Sequence, residues 1–240
     1  MKTLGKIIAQ IPARAGSKRV KSKNLRLIAG APLLSYSVSA AVASSFISDV
    51  YVNSDSTEML ALGESLGAKK YHRKTELASD TATGDQFTVD FIETLKPDTL
   101  VMVNPVCPLI TTEQIDNAIK AFENSDCDTL ISCESTQMQT FCEGIAVNID
   151  PESQLRPTQE NPVINTLNWA VTVWDAKKFM ENFNKQGYAY IGCNRLLFEI
   201  DAISGIKISH EADFSLCEAI LIGRTSVELL DEPVYWSSKT

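Results

Sequence analysis

Lys6-Ile7-Ile8-Ala9-Gln10-Ile11-Pro12 leads directly into Ala13-Arg14-Ala15-Gly16-Ser17-Lys18, an apolar run feeding a small, basic loop. The run is short, stopped by Pro12, and reads as a buried first strand. In an open α/β sheet, ligands sit beyond the carboxyl ends of the strands, so a loop in this position is a natural binding element. Gly16 lets a ligand approach the backbone, Ser17 can donate, and Arg14, Lys18 and Lys23 offer cations to phosphate oxygens. The loop has neither the GxxxxGK[ST] spacing of a Walker loop nor the GxGxxG of a dinucleotide turn.

Beyond this stretch, strand and helix signals alternate. Pro32 is suited to a first helical turn, and Leu33, Leu34, Tyr36, Ser37, Val38 and Ala41 follow at helical spacing. Residues 49–53 read as strand, with Asp55 and Glu58 as an acidic helix start and Gly67 as its stop. Residues 99–103 form another buried strand before a proline-flanked turn, 105–108. Thr111 and Gln114 have the spacing of a capping box ahead of a helix around 115–122. Strands follow at 129–133, 169–174 and 196–200, and helices at 176–184 and 211–224. Such alternation predicts a three-layer α/β fold with a mainly parallel, Rossmann-like sheet. Residues 134–166 are polar, contain Pro151, Pro157 and Pro162, and give weak strand hints only at 145–149. They read as a lid or dimerisation arm on one domain spanning 1–240.

Charge is segregated along the chain. Residues 1–48 hold eight Lys or Arg and no acid, whereas fourteen basic and thirty acidic residues follow. Six of the early cations lie between Arg14 and Arg26. A nucleic-acid surface would recur on other elements with aromatic partners, so the focused loop favours a compact anion. With 240 residues, 44% hydrophobic and 22% charged, the chain can build a core, which excludes disordered and collagenous classes. There is no run of eighteen apolar residues, and Gln10, Pro12 and Arg14 interrupt the start as a signal peptide. Six cysteines without a CxxC pair, beside two histidines, give a zinc site little to build on and read as buried thiols. A cytoplasmic protein with no membrane partner is expected.

Three ordered motifs then carry a family resemblance. Residues 11–18 (IPARAGSK), closing at Lys23-Asn24, resemble the opening motif of the acylneuraminate cytidylyltransferases, the CMP-sialate synthetase family. Residues 76–82 (ELASDTA) and 103–109 (VNPVCPL) are similar to its second and third motifs, with Asn104 where glutamine is usual. Asn53-Ser54-Asp55 is similar to its turn after the second strand. The resemblance implies a nucleotide-diphospho-sugar transferase-like fold and transfer of CMP from CTP to a 2-keto-3-deoxy sugar acid, with loss of pyrophosphate. It implies that Ala13, Arg14, Gly16, Ser17, Lys18, Lys23 and Asn24 hold the nucleotide, with Arg14 and Lys23 catalytic. Arg73 with Ser79, Asp80, Thr81, Ala82 and Thr83 would surround cytosine and ribose, and Asn104 and Asn168 would face the acceptor. It further implies magnesium, a homodimer and a role in surface-glycan precursor synthesis.

The pattern breaks late in the chain. Thr166 stands where the family has an arginine, and two magnesium-binding aspartates correspond to Lys207 and Ser209 in residues 205–209 (GIKIS). That stretch is similar to the late motif of the methylerythritol-phosphate cytidylyltransferases, where a lysine meets a phosphate-bearing substrate. Lys207 can bind an anion and cannot ligate magnesium at neutral pH. The metal ligands are thus unassigned, the triphosphate being the main holder, with Asp80 and Asp213 as protein candidates. A sugar or polyol phosphate acceptor and a non-catalytic nucleotide-binding homologue are the alternatives. Trp169 and Trp174 are expected to pack rather than stack on a base, and without the motif Asp80 and Thr81 would read as a helix cap.

Overall fold

The computed structural model describes residues 1–16, 20 and 22–226. Seven strands form one sheet: β1 (Ile7–Pro12), β2 (Asp49–Ser54), β3 (Lys69–His72), β4 (Thr99–Val103), β5 (Thr129–Thr136), β6 (Ile164–Asp175) and β7 (Arg195–Glu199). Their order is β7-β5-β6-β4-β1-β2-β3. All run parallel except β6, which is antiparallel to both β4 and β5. The expected mainly parallel sheet is therefore present, with one reversed strand between β5 and β4.

Two core layers cover the faces. On one side Ile11, Val52 and Val101 pack against α1 (Leu33–Val42), α2 (Thr57–Ser65) and α4 (Thr112–Glu123). On the other, Ile8, Leu100, Met102 and Trp174 pack against α3 (Gly84–Leu95) and α5 (Ala176–Gln186). A third cluster joins Val20 of the first loop to Ile208 and to Phe214 and Cys217 of α6 (Glu211–Ser226). This cluster brings the late motif against the first loop.

Local signals resolve mostly as expected. Thr111 and Gln114 form a reciprocal capping box at α4. Pro32 lies one residue outside α1, as its N-cap, and pairs in a two-residue ladder with Leu27. Ser56, not Asp55, caps α2, accepting from the Met59 N–H. The cap of α3 is Thr83, in a capping box with Gln86, rather than Asp80 or Thr81. Strand β3 and helix α3 carried no sequence expectation. Cys107, Cys127, Cys133 and Cys217 are buried thiols, but Cys142 and Cys193 are exposed.

Beyond the sheet, β5 and β6 continue as a paired ribbon, Ile164 opposite Thr136. Between them residues 137–163 fold onto Asn148, whose amide donates to the Met138 and Pro162 carbonyls while its Oδ1 accepts from the Thr140 N–H. The Gln137 amide donates to the carbonyls of Gln159 and Asn161. Met138, Phe141, Ile145, Leu155 and Val163 remain exposed on this excursion.

Candidate active site

The carboxyl ends of β1, β2 and β3 are tied to one another by backbone. The Ala13 N–H donates to the Asn53 carbonyl (3.0 Å) and the Arg73 N–H to the Ser54 carbonyl (2.9 Å). The first loop leaves β1 here, and Asp55 braces it by accepting from the Ala15 N–H (3.0 Å). The helix expected from Asp55 and Glu58 does begin here, with Glu58 in its first turn and Asp55 just ahead of its cap.

Arg14 crosses to the second motif, where Nη1 donates to the Ser79 carbonyl (3.2 Å) and pairs with Asp80 (3.0 Å). Asn24 is buried; its Nδ2 donates to the Arg14 carbonyl (3.4 Å), while Oδ1 meets no partner. Gly16 has open space where a Cβ would lie, so nothing in the chain's own packing requires glycine there. Ser17 and Lys18 lie outside the described residues.

Arg73 is a buried cation rather than a solvated one, only 7% exposed. Its Nε donates to Asn53 Oδ1 (2.7 Å) and Nη2 to the Asn53 carbonyl (2.9 Å), and the guanidinium lies 4.4 Å over the Phe87 ring. Burial lowers its pKa to about 10, which still leaves it charged at neutral pH. The second motif follows as a turn: Ser79 Oγ donates to the Glu76 carbonyl (2.9 Å) and lies 3.2 Å from Thr81 Oγ1, and the Ala82 N–H reaches the Ser79 carbonyl (3.4 Å). Thr83 then opens α3, its Oγ1 accepting from the Gln86 N–H (3.3 Å).

On the other side of the cleft, Lys23 Nζ donates to the Ile208 carbonyl (2.7 Å), and the Ile208 N–H donates to Val106 (2.9 Å). The late stretch is thereby pinned to both the first loop and the third motif. Burial pushes the Cys107 thiol up to about 12, against the opposing pull of the Lys207 and Lys23 charges. Asn104 Oδ1 accepts from the Val106 N–H (3.3 Å) and its carbonyl from the Ser37 hydroxyl (3.0 Å), which shapes the turn. Asn168 Oδ1 accepts from Ser132 Oγ (2.6 Å) and the Ala170 N–H (3.2 Å), leaving a buried Nδ2 with no partner. Ser132 carried no sequence signal; only the β5–β6 pairing brings it to Asn168.

The carboxylates near the cleft are already engaged. Asp55 holds the Ala15 amide and Asp80 pairs with Arg14. Asp213 accepts from the Ser209 and His210 N–H groups, which hold its carboxyl below the usual range. Among the described residues no three His, Cys, Asp or Glu side chains gather where they could hold a metal ion. These residues do not fit a divalent ion held by a protein carboxylate cluster.

The sequence profile of the cytidylyltransferases matches residues 8–199. A CMP-N,N'-diacetyllegionaminic acid synthase of Legionella pneumophila is 27% identical over 90% of this chain and 96% of its own length. An N-acylneuraminate cytidylyltransferase of Escherichia coli is 26% identical over 90% of the chain, which spans only 52% of that relative. A CMP:2-keto-3-deoxy-manno-octonic acid synthetase complexed with CTP superposes with a TM-score of 0.70 over 91% of this chain and 99% of its own, at 15% identity, a likeness of fold. With β6 reversed in a parallel sheet and the three motifs meeting at its carboxyl edge, the chain belongs to the cytidylyltransferase family.

Proposed function

We propose that this protein transfers CMP from CTP to a 2-keto-3-deoxy sugar acid, releasing pyrophosphate. The observation that carries this reading is the tethering of the first loop to two other motif segments. Arg14 reaches the second motif and Lys23 the late stretch. An acceptor hydroxyl oxygen attacks the α-phosphorus, its proton passes to solvent, and the bond to the bridging oxygen of pyrophosphate breaks. Negative charge grows on the leaving and equatorial oxygens, where fixed cations stabilise it without reorganising. In this reading Ala13, Gly16, Ser17, Lys18 and Asn24 cradle the nucleotide, and Arg73 with residues 79–83 reads cytosine and ribose. Asn104, Asn168 and Lys207 face the acceptor.

Magnesium would be held by the triphosphate oxygens of CTP, where it would offset their charge, since the nearby carboxylates are engaged with amides and Arg14. The apolar side chains exposed at 138–163 favour a homodimer formed through the arm. Use of CTP favours a cytoplasmic enzyme supplying precursors of surface glycans. A second reading, a sugar or polyol phosphate as acceptor, draws on Lys207 standing where the family has a magnesium-binding aspartate.

The test has two parts. CTP should raise Tm more than equal ATP, GTP or UTP, because a ligand of the native state stabilises it by mass action. Pyrophosphate release should then appear with 2-keto-3-deoxy sugar acids and not with sugar phosphates. Equal shifts for all four nucleotides would remove base reading from Arg73. A CTP-specific shift with no release on any acceptor would identify a nucleotide-binding homologue instead.

A further inference from the structure

Asn53, the next-to-last residue of β2, is fully buried and holds two parts of the candidate site at once. Its carbonyl accepts from the Ala13 N–H (3.0 Å), where the first loop begins, and from Arg73 Nη2 (2.9 Å). Its side-chain Oδ1 accepts from Arg73 Nε (2.7 Å), so one residue takes two donors of the guanidinium fork. The strand register explains the meeting. Pro12 stands opposite Asn53 on one side and Tyr71 on the other, and β3 ends immediately before Arg73. The Phe87 ring then covers one face of the guanidinium at 4.4 Å.

The chemistry of this partner matters as much as its position. A buried arginine is ordinarily paired with a carboxylate, because an uncompensated cation is costly to take out of water. Here the groups that hold it are a neutral amide and a backbone carbonyl. Of the charged groups around it, Asp55 favours the cation and Arg14 opposes it, and Asp55 is itself engaged by the Ala15 N–H. Asn53 thus fixes the guanidinium without neutralising it. The Asn53 Nδ2 has no partner, so no bond from that end of the amide calls for an asparagine. An aspartate would accept from the same Nε and add an ion pair, the stronger choice if only the fold were served.

We propose that Asn53 is a positioning residue, holding Arg73 to the nucleotide while leaving its positive charge for the ligand to satisfy. The proposal rests on the nucleotide reading above and adds the residue on which Arg73 depends. Asn53→Asp separates this role from packing. Beside Arg73 the new carboxyl is ionised, so the guanidinium stays held but its charge is taken. Asn53→Ala leaves Nε unpaired and should melt about 4–8 °C below the parent, with Asn53→Asp well above it. The Kd of Asn53→Asp for CTP should nevertheless rise about ten- to a hundred-fold, the range for losing a hydrogen bond to a charged group. A packing role predicts instead that affinity follows Tm and that Asn53→Asp binds as the parent does, which overturns the proposal. Inorganic tripolyphosphate, titrated in the same way, shows which part of the nucleotide Arg73 meets. Loss confined to CTP supports the proposal with base reading intact. Equal loss for both ligands also supports it, but moves Arg73 to the phosphates, so that only the base reading fails. A second readout needs neither Asn53 variant to fold. In isotope-labelled parent protein the Arg73 Nε–H resonance, identified by its absence in Arg73→Lys, should exchange slowly with solvent and shift when CTP is added. Rapid exchange, or no shift at the highest CTP concentration, overturns the proposal.

Discussion

The two halves of the sheet are assembled by different rules. From β1 to β4, successive parallel strands bring sequence-contiguous motifs to one edge, and each loop places its own cations and amides. From β5 to β7, a long excursion intervenes, β6 returns antiparallel, and the groups that meet there come from distant points. The first half has long-range ties too, Arg14 to Ser79 across 65 positions, but the late stretch returns to the first loop from much further, Lys23 meeting Ile208 across 185. On the proposed reading the halves have different tasks: the motifs of the first half bind triphosphate and base. The second half faces the acceptor. Substitutions in the first half should therefore damage the reaction as a whole, and those in the second should change its choice of partner.

The sharpest challenge to this division is Lys23, which belongs to the first half but holds the second by its bond to Ile208. Lys23→Ala should lower kcat/KM by about 10²–10³ for every acceptor, the range for removing one group that stabilises transition-state charge. The lost hydrogen bond should cost about 1 kcal/mol of stability, or about 2–4 °C in Tm. Steady-state pyrophosphate release beside a melting curve separates the two effects. Turnover within about threefold of the parent would remove Lys23 from the chemistry and leave it as a latch.

A smaller effect comes from two caps of the same design. Thr111 and Thr83 each accept from the N–H three residues on, at 3.3 Å, with a glutamine returning the bond. Replacing either with alanine should cost about 1 kcal/mol. Thr111 opens α4, away from the cleft, so Thr111→Ala should leave KM for CTP alone. Thr83 directly follows the second motif, so Thr83→Ala should raise KM for CTP in addition. If the two variants behave alike, Thr83 is only a cap.

The sequence is legible where a residue's task is local. The Thr111–Gln114 box, the apolar run of β1 and the basic loop behind it depend on neighbours a few positions away. Strand β3 left no trace because Lys69-Lys70-Tyr71-His72 lies at the sheet edge, with three of its four residues exposed. Such polar edges protect a sheet from pairing with other chains, and they erase the alternating pattern by which strands are read. Helix α3 lay hidden behind the second motif, its buried face reduced to Thr88, Phe91 and Ile92. The helix start at Asp55 and Glu58 was legible, but the task of Asp55 was not, since its partner amide belongs to Ala15, forty positions earlier. At the late end, Lys207 was legible as a broken metal pattern; what stands beside it was not. Trp169 was the least legible, since no signal in a sequence marks an aromatic residue for a left-handed backbone.

The smallest expected effect has the opposite sign and lies on the seam between the halves. Gln10 of β1 pairs in register with Met102 of β4, which pairs with Thr172 of β6. Gln10 and Thr172 are fully buried, and neither the Gln10 amide atoms nor Thr172 Oγ1 has a partner. Ile8, two residues before Gln10, and Met102 belong to the apolar layer under α3 and α5, so Gln10 is a polar side chain in an otherwise apolar layer. An unsatisfied buried amide costs about 1–3 kcal/mol, and methionine has nearly the same shape without the polar atoms. Gln10→Met should therefore raise stability by about 1 kcal/mol, after small packing losses, and Tm by about 2–4 °C. Thermal or urea unfolding of the two proteins, with equal m-values to confirm that the native state is unchanged, measures the difference. A loss of stability would mean that the Gln10 amide is hydrogen-bonded in solution, making the seam a polar joint between the halves rather than a flaw in the core.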